Sequence, residues 1–174
     1  MEMKKKAGFD ECYRSYAPRM YGVAFKMVNN HEDALDIVQE SFIKAYRSWE
    51  RFRGESAIST WLFRITLNNA FDCLRRKKKK KTVEVEKDVE DSRRYFGEAR
   101  IIREDVIKQV REEIEKLPPK QKAVFILKTY DGLNYQEIAR ITNSRIGTVK
   151  ATYFQTIQKL KKNLYIKEVI KNEL

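Results

Sequence analysis

The sequence predicts an all-α protein built as two small helical domains joined by a charged linker. Glycine and proline, the residues that punctuate chains most strongly, number only six and three in 174 residues. Apolar residues recur three or four positions apart almost throughout, the period of a helix with one buried face. From Thr82 to about Gly97 that pattern lapses into a charged stretch poor in large apolar residues, which marks a linker. The expected divisions are 1–81, 82–105 and 106–174. Halves of roughly 70–80 residues bury only a modest core each, so each is expected to lean on its partners.

Phe9 to Met27 reads as one helix, with a bend expected at Pro18. Asn30 suits the N-cap of a second helix, and Glu32 and Asp33 fall in its first turn, where carboxylates complement the positive end of the helix dipole. The lone histidine, His31, belongs to that same first turn. The helix is expected to run to about Arg51, with Ala34, Val38, Phe42, Ala45 and Trp49 as an apolar stripe entering the core. Asp33, Asp36, Glu40, Lys44 and Arg47 form a polar face whose first half is acidic, and on periodicity alone this face reads as solvated.

FRGESAIST breaks the pattern for a loop, after which Ser59 or Thr60 is expected to cap a third long helix. Ile58, Leu62, Ile65 and Cys73 can face inward, leaving Trp61, Arg64, Asn68 and Arg75 along another face. An aromatic, a cation and an amide on one stripe can stack on bases, hold phosphates and hydrogen-bond base edges. They can equally be an ordinary core tryptophan with solvated neighbours. The helix ends in Arg75, Arg76 and Lys77 to Lys81, seven cations that are not expected to pack and that read as a phosphate-seeking tail or the start of a solvated linker.

A helix resumes near Ala99, with Ile102, Val106, Val110, Ile114 and Leu117 on one side, and Pro118 and Pro119 end it. Lys120 to Tyr130 forms a short helix closed by an Asp131-Gly132 turn. Asn134 and Glu137 then have capping-box spacing, and the following segment has the grammar of a helix-turn-helix. Ala139 is small where two helices cross, Ile138 and Val149 are apolar where each meets the core, and Asn143 stands where the turn needs a left-handed residue. A helical hairpin without DNA binding is the competing reading. As a DNA reader, the helix from about Ile146 to Leu164 enters the major groove by its N-terminal end. Arg145, Thr148, Lys150, Thr152, Tyr153 and Gln155 then reach phosphates or base edges, while Lys159, Lys161 and Lys162 meet only backbone.

Charge agrees with a polyanionic partner. Lysine and arginine total 37 against 25 acids, a net charge of +12. Residues 1–81 hold 18 cations and 10 anions, residues 82–105 hold 5 and 8, and residues 106–174 hold 14 and 7. Two basic blocks thus flank an acidic middle, and nucleic acid or an anionic membrane satisfies such blocks by releasing counterions. No apolar run approaches membrane-spanning length, so no membrane insertion is expected, and MEMKKKAGFDECY lacks the apolar core of a signal peptide, so a cytoplasmic protein is expected. Cys12, Cys73 and one histidine offer no zinc spacing and almost nothing for general-base or nucleophilic chemistry. Neither a cofactor nor a metal is expected, and the chain reads as a non-enzyme.

Three stretches carry a resemblance: DALDIVQESFIKAYRSWERF at 33–52, FRGESAISTWLFRITLNNAFDCLRR at 52–76, and LPPKQKAVFILKTYDGLNYQEIARITNSRIGTVKATYF at 117–154. In this order the chain resembles the extracytoplasmic-function (group IV) sigma factors of the sigma-70 family across nearly its whole length. The resemblance implies a sigma-2 domain and a sigma-4 helix-turn-helix domain, and a role in transcription initiation as the promoter-recognition subunit of bacterial RNA polymerase. It implies that Asp33, Asp36, Gln39, Glu40, Phe42 and Lys44 dock on the clamp helices of the core polymerase β′ subunit. It places Phe52, Arg53, Gly54, Trp61, Arg64, Asn68, Asn69, Arg75 and Arg76 on the minus-10 element. Arg145, Thr148, Lys150, Thr152, Tyr153 and Gln155 fall on the minus-35 element, with other faces of that domain on the β flap. The linker is implied to run toward the RNA exit path, and an anti-sigma protein is an implied partner.

The recognition helix departs from the family pattern. Ala151-Thr152 and Gln155-Thr156-Ile157 stand where arginines are frequent, which implies a minus-35 preference read through shape and Thr/Tyr contacts rather than bidentate guanine readers. Thr142 and Ser144 replace apolar turn residues, so the second domain is expected to be less stable alone. Two other classes compete. A helix-turn-helix regulator acting on duplex DNA without polymerase has no use for single-strand readers on the third helix. A nuclease needs a metal-binding carboxylate cluster, for which Asp33, Asp36 and Glu40 lack a second ligand set.

Overall fold

The computed structural model describes residues 2–49, 52, 57–81 and 98–173, and side chains at 8–49, 52, 57–80 and 107–164. The expected loop residues Arg53 and Gly54, the linker from Thr82 to Gly97, and the side chains of Ile102 and Val106 lie outside the described residues. Every regular element among the described residues is helical: α1 (Glu2–Val28), α2 (His31–Ser48), α3 (Ile58–Lys81), α4 (Glu98–Glu115), α5 (Pro119–Thr129), α6 (Tyr135–Thr142) and α7 (Ile146–Glu173).

Two adjacent asparagines make the first junction. Asn29 takes the left-handed conformation, φ 51°, that ends α1, and its N–H donates to the Phe25 carbonyl at 2.7 Å. Asn30 is extended and accepts the Asp33 N–H at 2.9 Å, capping α2 as expected. His31 opens α2, its Nδ1 2.8 Å from the Tyr21 hydroxyl. α1 runs through Pro18 and begins earlier than expected, at Glu2.

The start of α3 corrects the reading from sequence. Neither Ser59 nor Thr60 is the cap: the helix begins at Ile58, the Trp61 N–H already bonds the Ala57 carbonyl at 3.2 Å, and Thr60 is buried inside the first turn. Packing of that turn on the core overrides the local capping preference. The lysine run also departs from expectation, because α3 continues through Lys81 and Lys77 forms an ion pair with Asp33 of α2.

In the second half Pro119 opens α5, where its missing N–H removes no helical bond, and Gly132 takes φ 66° in the following turn. Asn134 and Glu137 form the full capping box of α6, with bonds of 2.9 and 2.8 Å. Asn143 turns left-handed, φ 49°, and releases the chain into α7. Ile138 and Val149 are buried on either side of this turn, as the helix-turn-helix requires.

Helices α1, α2 and α3 pack on one another, α5 and α6 pack on α7, and α4 lies along α7. Each half leans on the other: α5 rests on α1, and α5 and α6 rest on α3. One continuous apolar cluster therefore joins Met20, Met27 and Phe63 to Ile126, Leu127 and Ile138, each worth roughly 1.5–3 kcal/mol on full burial. A smaller cluster of Ile114, Leu117, Phe125 and Leu160 fastens α4 and α5 to α7.

Candidate nucleic-acid and partner interfaces

The outer face of α2 presents Asp36, Gln39 and Glu40 to solvent. Glu40 pairs with Lys44 one turn on at 2.8 Å. That hydrogen bond, with the charges of Lys44 and Arg76, holds the Glu40 carboxyl below its ordinary range against an opposing push from burial. Asp33 is turned toward α3, where it takes Lys77 and the Cys73 thiol, the latter at 3.8 Å. Burial and then the Asp33 charge push that thiol upward, so it stays protonated.

Phe42 does not reach this face. It is 5% exposed and sits in the core, ring edge against Phe9 and Tyr13 at 6.1 and 4.7 Å, because it follows Val38 and precedes Ala45 on the apolar stripe. Leu35 and Ile43, 41% and 51% exposed, lie beside Gln39 instead, at i−4 and i+4. The sequence reading missed both. Their signal was available, since each is an apolar residue off the core stripe of a strongly amphipathic helix.

On α3, Trp61 is half-buried between Trp49 and Phe52, with ring centroids 6.2 and 4.9 Å away. The tryptophan thus belongs to both readings, anchored in the core and carrying Phe52 on its outer side. Arg64 and Asn68 are exposed along the same helix, and Arg64 donates to the Arg140 carbonyl of α6 at 2.5 Å. Asn69, one position from Asn68, is 4% exposed and wholly engaged: it accepts from Lys44 at 2.6 Å and donates to Ser41 Oγ at 2.8 Å. Arg75 pairs with Asp72 at 2.8 Å. Glu40, Asn69, Asp72, Arg75 and Arg76 line one open depression of about 190 Å³, so members of the two expected surfaces meet there.

On the helix-turn-helix, Arg145 just before α7 and Thr148, Lys150 and Gln155 in its N-terminal part are exposed. Thr152 is half-buried. Tyr153 packs inward, its ring edge on Tyr135 at 6.1 Å and its hydroxyl 3.5 Å from Thr129 Oγ1. The next residue, Phe154, is 63% exposed, the most exposed of the large apolar side chains described. It too was missed, because the expected contact set was drawn from polar side chains. Lys122 is a further omission: a lysine within α5 that is 3% exposed and donates to the Met27 carbonyl of α1 and to Glu115, at 3.0 and 2.8 Å.

Among the described residues no group of three or more His, Cys, Asp or Glu is placed to hold a metal ion, and no helix is long and apolar enough to cross a membrane. What α2, α3 and α7 offer is surface: an acidic face with apolar flanks, a helix mixing Trp, Arg and Asn, and a basic helix that follows the turn at Asn143.

Known families share this arrangement. Residues 12–80 match Sigma-70 region 2 and residues 107–160 match Sigma-70, region 4. The chain is 30% identical over 169 residues to the RNA polymerase sigma-H factor of Pseudomonas aeruginosa, covering 91% of this chain and 87% of that one. It is 34% identical over 162 residues to the ECF RNA polymerase sigma-E factor of Haemophilus influenzae, covering 86% and 84%. Among solved structures it is similar to the sigma factor RpoE in complex with the anti-sigma factor NepR from Bartonella quintana, with a TM-score of 0.71 and 21% identity over 91% of this chain and 98% of that one. It is also similar to CnrH in complex with the cytosolic domain of CnrY, with a TM-score of 0.69 and 20% identity over 92% and 90%. Both regions, in order, and relatives matched over most of their length make this chain a member of the extracytoplasmic-function sigma factors of the sigma-70 family.

Proposed function

We propose that α2 docks this sigma factor on core RNA polymerase, α3 captures the minus-10 element and α7 reads the minus-35 element, with 1–81, 82–105 and 106–174 as working divisions. The reading is carried by one observation: Trp61, Arg64 and Asn68 share one helix, immediately after the amphipathic α2, in the matched region 2. Asp36, Gln39 and Glu40 supply the polar part of the docking face on the β′ clamp helices, with Leu35 and Ile43 as apolar anchors, the mixture that characterises an interface centre and its rim. Asp33, Lys44 and Asn69 hold α2 and α3 in register, and Phe42 supports the face from within.

On DNA, Arg64 and Arg76 meet phosphates, Asn68 meets a base edge, and the Trp61–Phe52 pair gives a stacking surface. Arg53, Gly54 and Arg75 complete this set. No catalytic group is needed, because binding that favours only the opened strand shifts the melting equilibrium toward opening. Arg145, Thr148, Lys150 and Gln155 contact the minus-35 duplex, joined by Phe154, with Thr152 and Tyr153 shaping the helix. The protein acts in the cytoplasm as a non-catalytic polymerase subunit. An anti-sigma protein is its further partner, as in the complexes of the two solved neighbours.

Run-off transcription by sigma-free core polymerase on a pool of random promoter-spaced DNA tests the reading. Transcript starts that depend on the protein and share two upstream motifs are expected. Independence from the protein, together with tight binding to duplex DNA by itself, supports a conventional regulator instead.

A further inference from the structure

A helix that enters the major groove offers one face to the bases and keeps the opposite face on its own domain. On α7 the inward line is fixed by Val149, Thr156 and Leu160, all buried, with the Thr156 hydroxyl donating to the Thr152 carbonyl at 2.7 Å. At about 100° per residue, the line directly opposite runs through Gly147, Ala151, Phe154 and Gln158, with Gln155 beside it. All five are exposed, and a Cβ added at Gly147 would meet nothing within 4 Å. From Gly147 to Gln158 the outermost strip of the helix is therefore uncharged.

The cations stand off this strip. Arg145 precedes the helix. Lys150 is one residue, about 100°, round from Ala151. Its ammonium lies 5.9 Å from the Tyr135 ring centroid, back toward α6. Lys159 is exposed on the other flank. Charges so placed meet the phosphates that border a groove, and the uncharged strip between them meets the base edges on its floor.

We propose that α7 reads A·T pairs in the minus-35 element: Gln155 takes one adenine through its N7 and N6 groups, and Ala151 and Phe154 take thymine methyls beside it. The inference rests on the sigma-factor reading, which puts α7 on that duplex. A carboxamide matches adenine, whose major-groove edge offers one acceptor and one donor. Guanine offers two acceptors and calls for a guanidinium or ammonium, which the strip lacks. Set against guanine, the amide oxygen of Gln155 faces O6, acceptor against acceptor, and goes unpaired. The side chains of Ala151 and Phe154 carry no polar atom, so what they favour in the groove is the thymine methyl. Gly147 and Ala151 leave little bulk on the outermost line at successive turns, which brings the helix close to the groove floor.

Sequencing the starts made by core polymerase with the full chain, on the random promoter-spaced pool, gives the preferred bases. Wild type is expected to select an A·T pair that Gln155→Arg changes to G·C, with the other minus-35 pairs and the minus-10 motif unchanged. Gln155 is exposed, so its substitution leaves the fold intact. Binding of the holoenzyme to the recovered promoter is then measured by fluorescence anisotropy with two altered bases. 7-Deazaadenine at the selected pair lacks the N7 acceptor and is expected to weaken wild type about 3–15-fold and Gln155→Ala less than about twofold. Deoxyuridine in place of the neighbouring thymine lacks the methyl and is expected to weaken wild type about 2–5-fold.

A G·C pair selected by wild type where Gln155→Arg acts, a motif that Gln155→Arg leaves unchanged, or equal losses with 7-deazaadenine in wild type and Gln155→Ala overturn the adenine contact. Indifference to deoxyuridine overturns the methyl contacts. The two levels of the reading fail separately: starts that do not depend on the protein overturn the sigma reading and this inference together, whereas dependent starts with a G·C-only upstream motif overturn this inference alone.

Discussion

Lys44 donates to the side-chain oxygen of Asn69 at 2.6 Å, tying the outer face of α2 to α3. Asn69 passes the connection inward to Ser41, and Ser41 donates to the Ile37 carbonyl at 2.6 Å. The buried amide is therefore a structural bridge, whereas its neighbour Asn68, the proposed base contact, is exposed. Asn69→Ala is expected to destabilise the fold by about 1–3 kcal/mol in urea unfolding, through two lost hydrogen bonds at a buried site. Asn68→Ala is expected to leave stability within about 0.5 kcal/mol while weakening binding to the minus-10 strand. The reverse pattern would assign the base contact to Asn69.

The pair also shows where sequence reading stops. Helix caps are local, spanning three residues, so Asn30 and the Asn134 box were legible from sequence, and the apolar period located most helices. Neighbouring helical residues point about 100° apart, and only packing decides which of Asn68 and Asn69, or of Tyr153 and Phe154, turns inward. Phe42 was legible as core from its stripe, yet its position within a family-like stretch drew it into the docking set. Lys122 was illegible because a lysine reads as solvated by default, and its carbonyl partner lies 95 residues away in sequence.

Asn134 anchors the helix-turn-helix through two reciprocal bonds at the start of α6, a helix of eight residues. So short a helix draws little from propagation, so its cap weighs heavily. Asn134→Ala is expected to destabilise by about 1 kcal/mol and lower Tm by about 2–4 °C, whereas Asn134→Asp keeps the acceptor and stays close to wild type. Thermal unfolding of the full chain, followed by circular dichroism, measures both. An Asn134→Ala protein melting with wild type would mean that packing of Ile138 and Ile141 alone holds α6.

Tyr153 and Phe154 are neighbours on α7 with different surroundings. Tyr153 packs on Tyr135 and reaches Thr129, while Phe154 projects into solvent. Tyr153→Ala is expected to destabilise the fold by about 2–4 kcal/mol through the cavity it leaves. Phe154→Ala is expected to be neutral in unfolding and to weaken minus-35 duplex binding up to about tenfold, through loss of an apolar contact to a thymine methyl or sugar. Fluorescence anisotropy on the duplex, beside a denaturation curve, separates the two. Wild-type affinity in Phe154→Ala removes that ring from the DNA contacts.

Asp131 makes the stability of the fold depend on pH, in a direction that follows from its surroundings. Burial pushes its carboxyl above the ordinary value of 3.8, and the opposing pull of Arg19 and Lys26 is smaller. A carboxyl raised in the folded state keeps its proton there longer than in the unfolded chain. The folded state therefore gains most from Asp131 below 3.8 and loses that contribution as pH rises through the raised value. Asp131→Asn keeps the shape without the charge, so stability at neutral pH is expected to be as high or higher, and this part of the pH dependence to disappear. Urea unfolding of the full chain from about pH 4 to 7 reads the effect directly: Asp131→Asn is expected to gain on wild type as pH rises. Coincident profiles would mean that the charge of Asp131 has no energetic consequence for the fold.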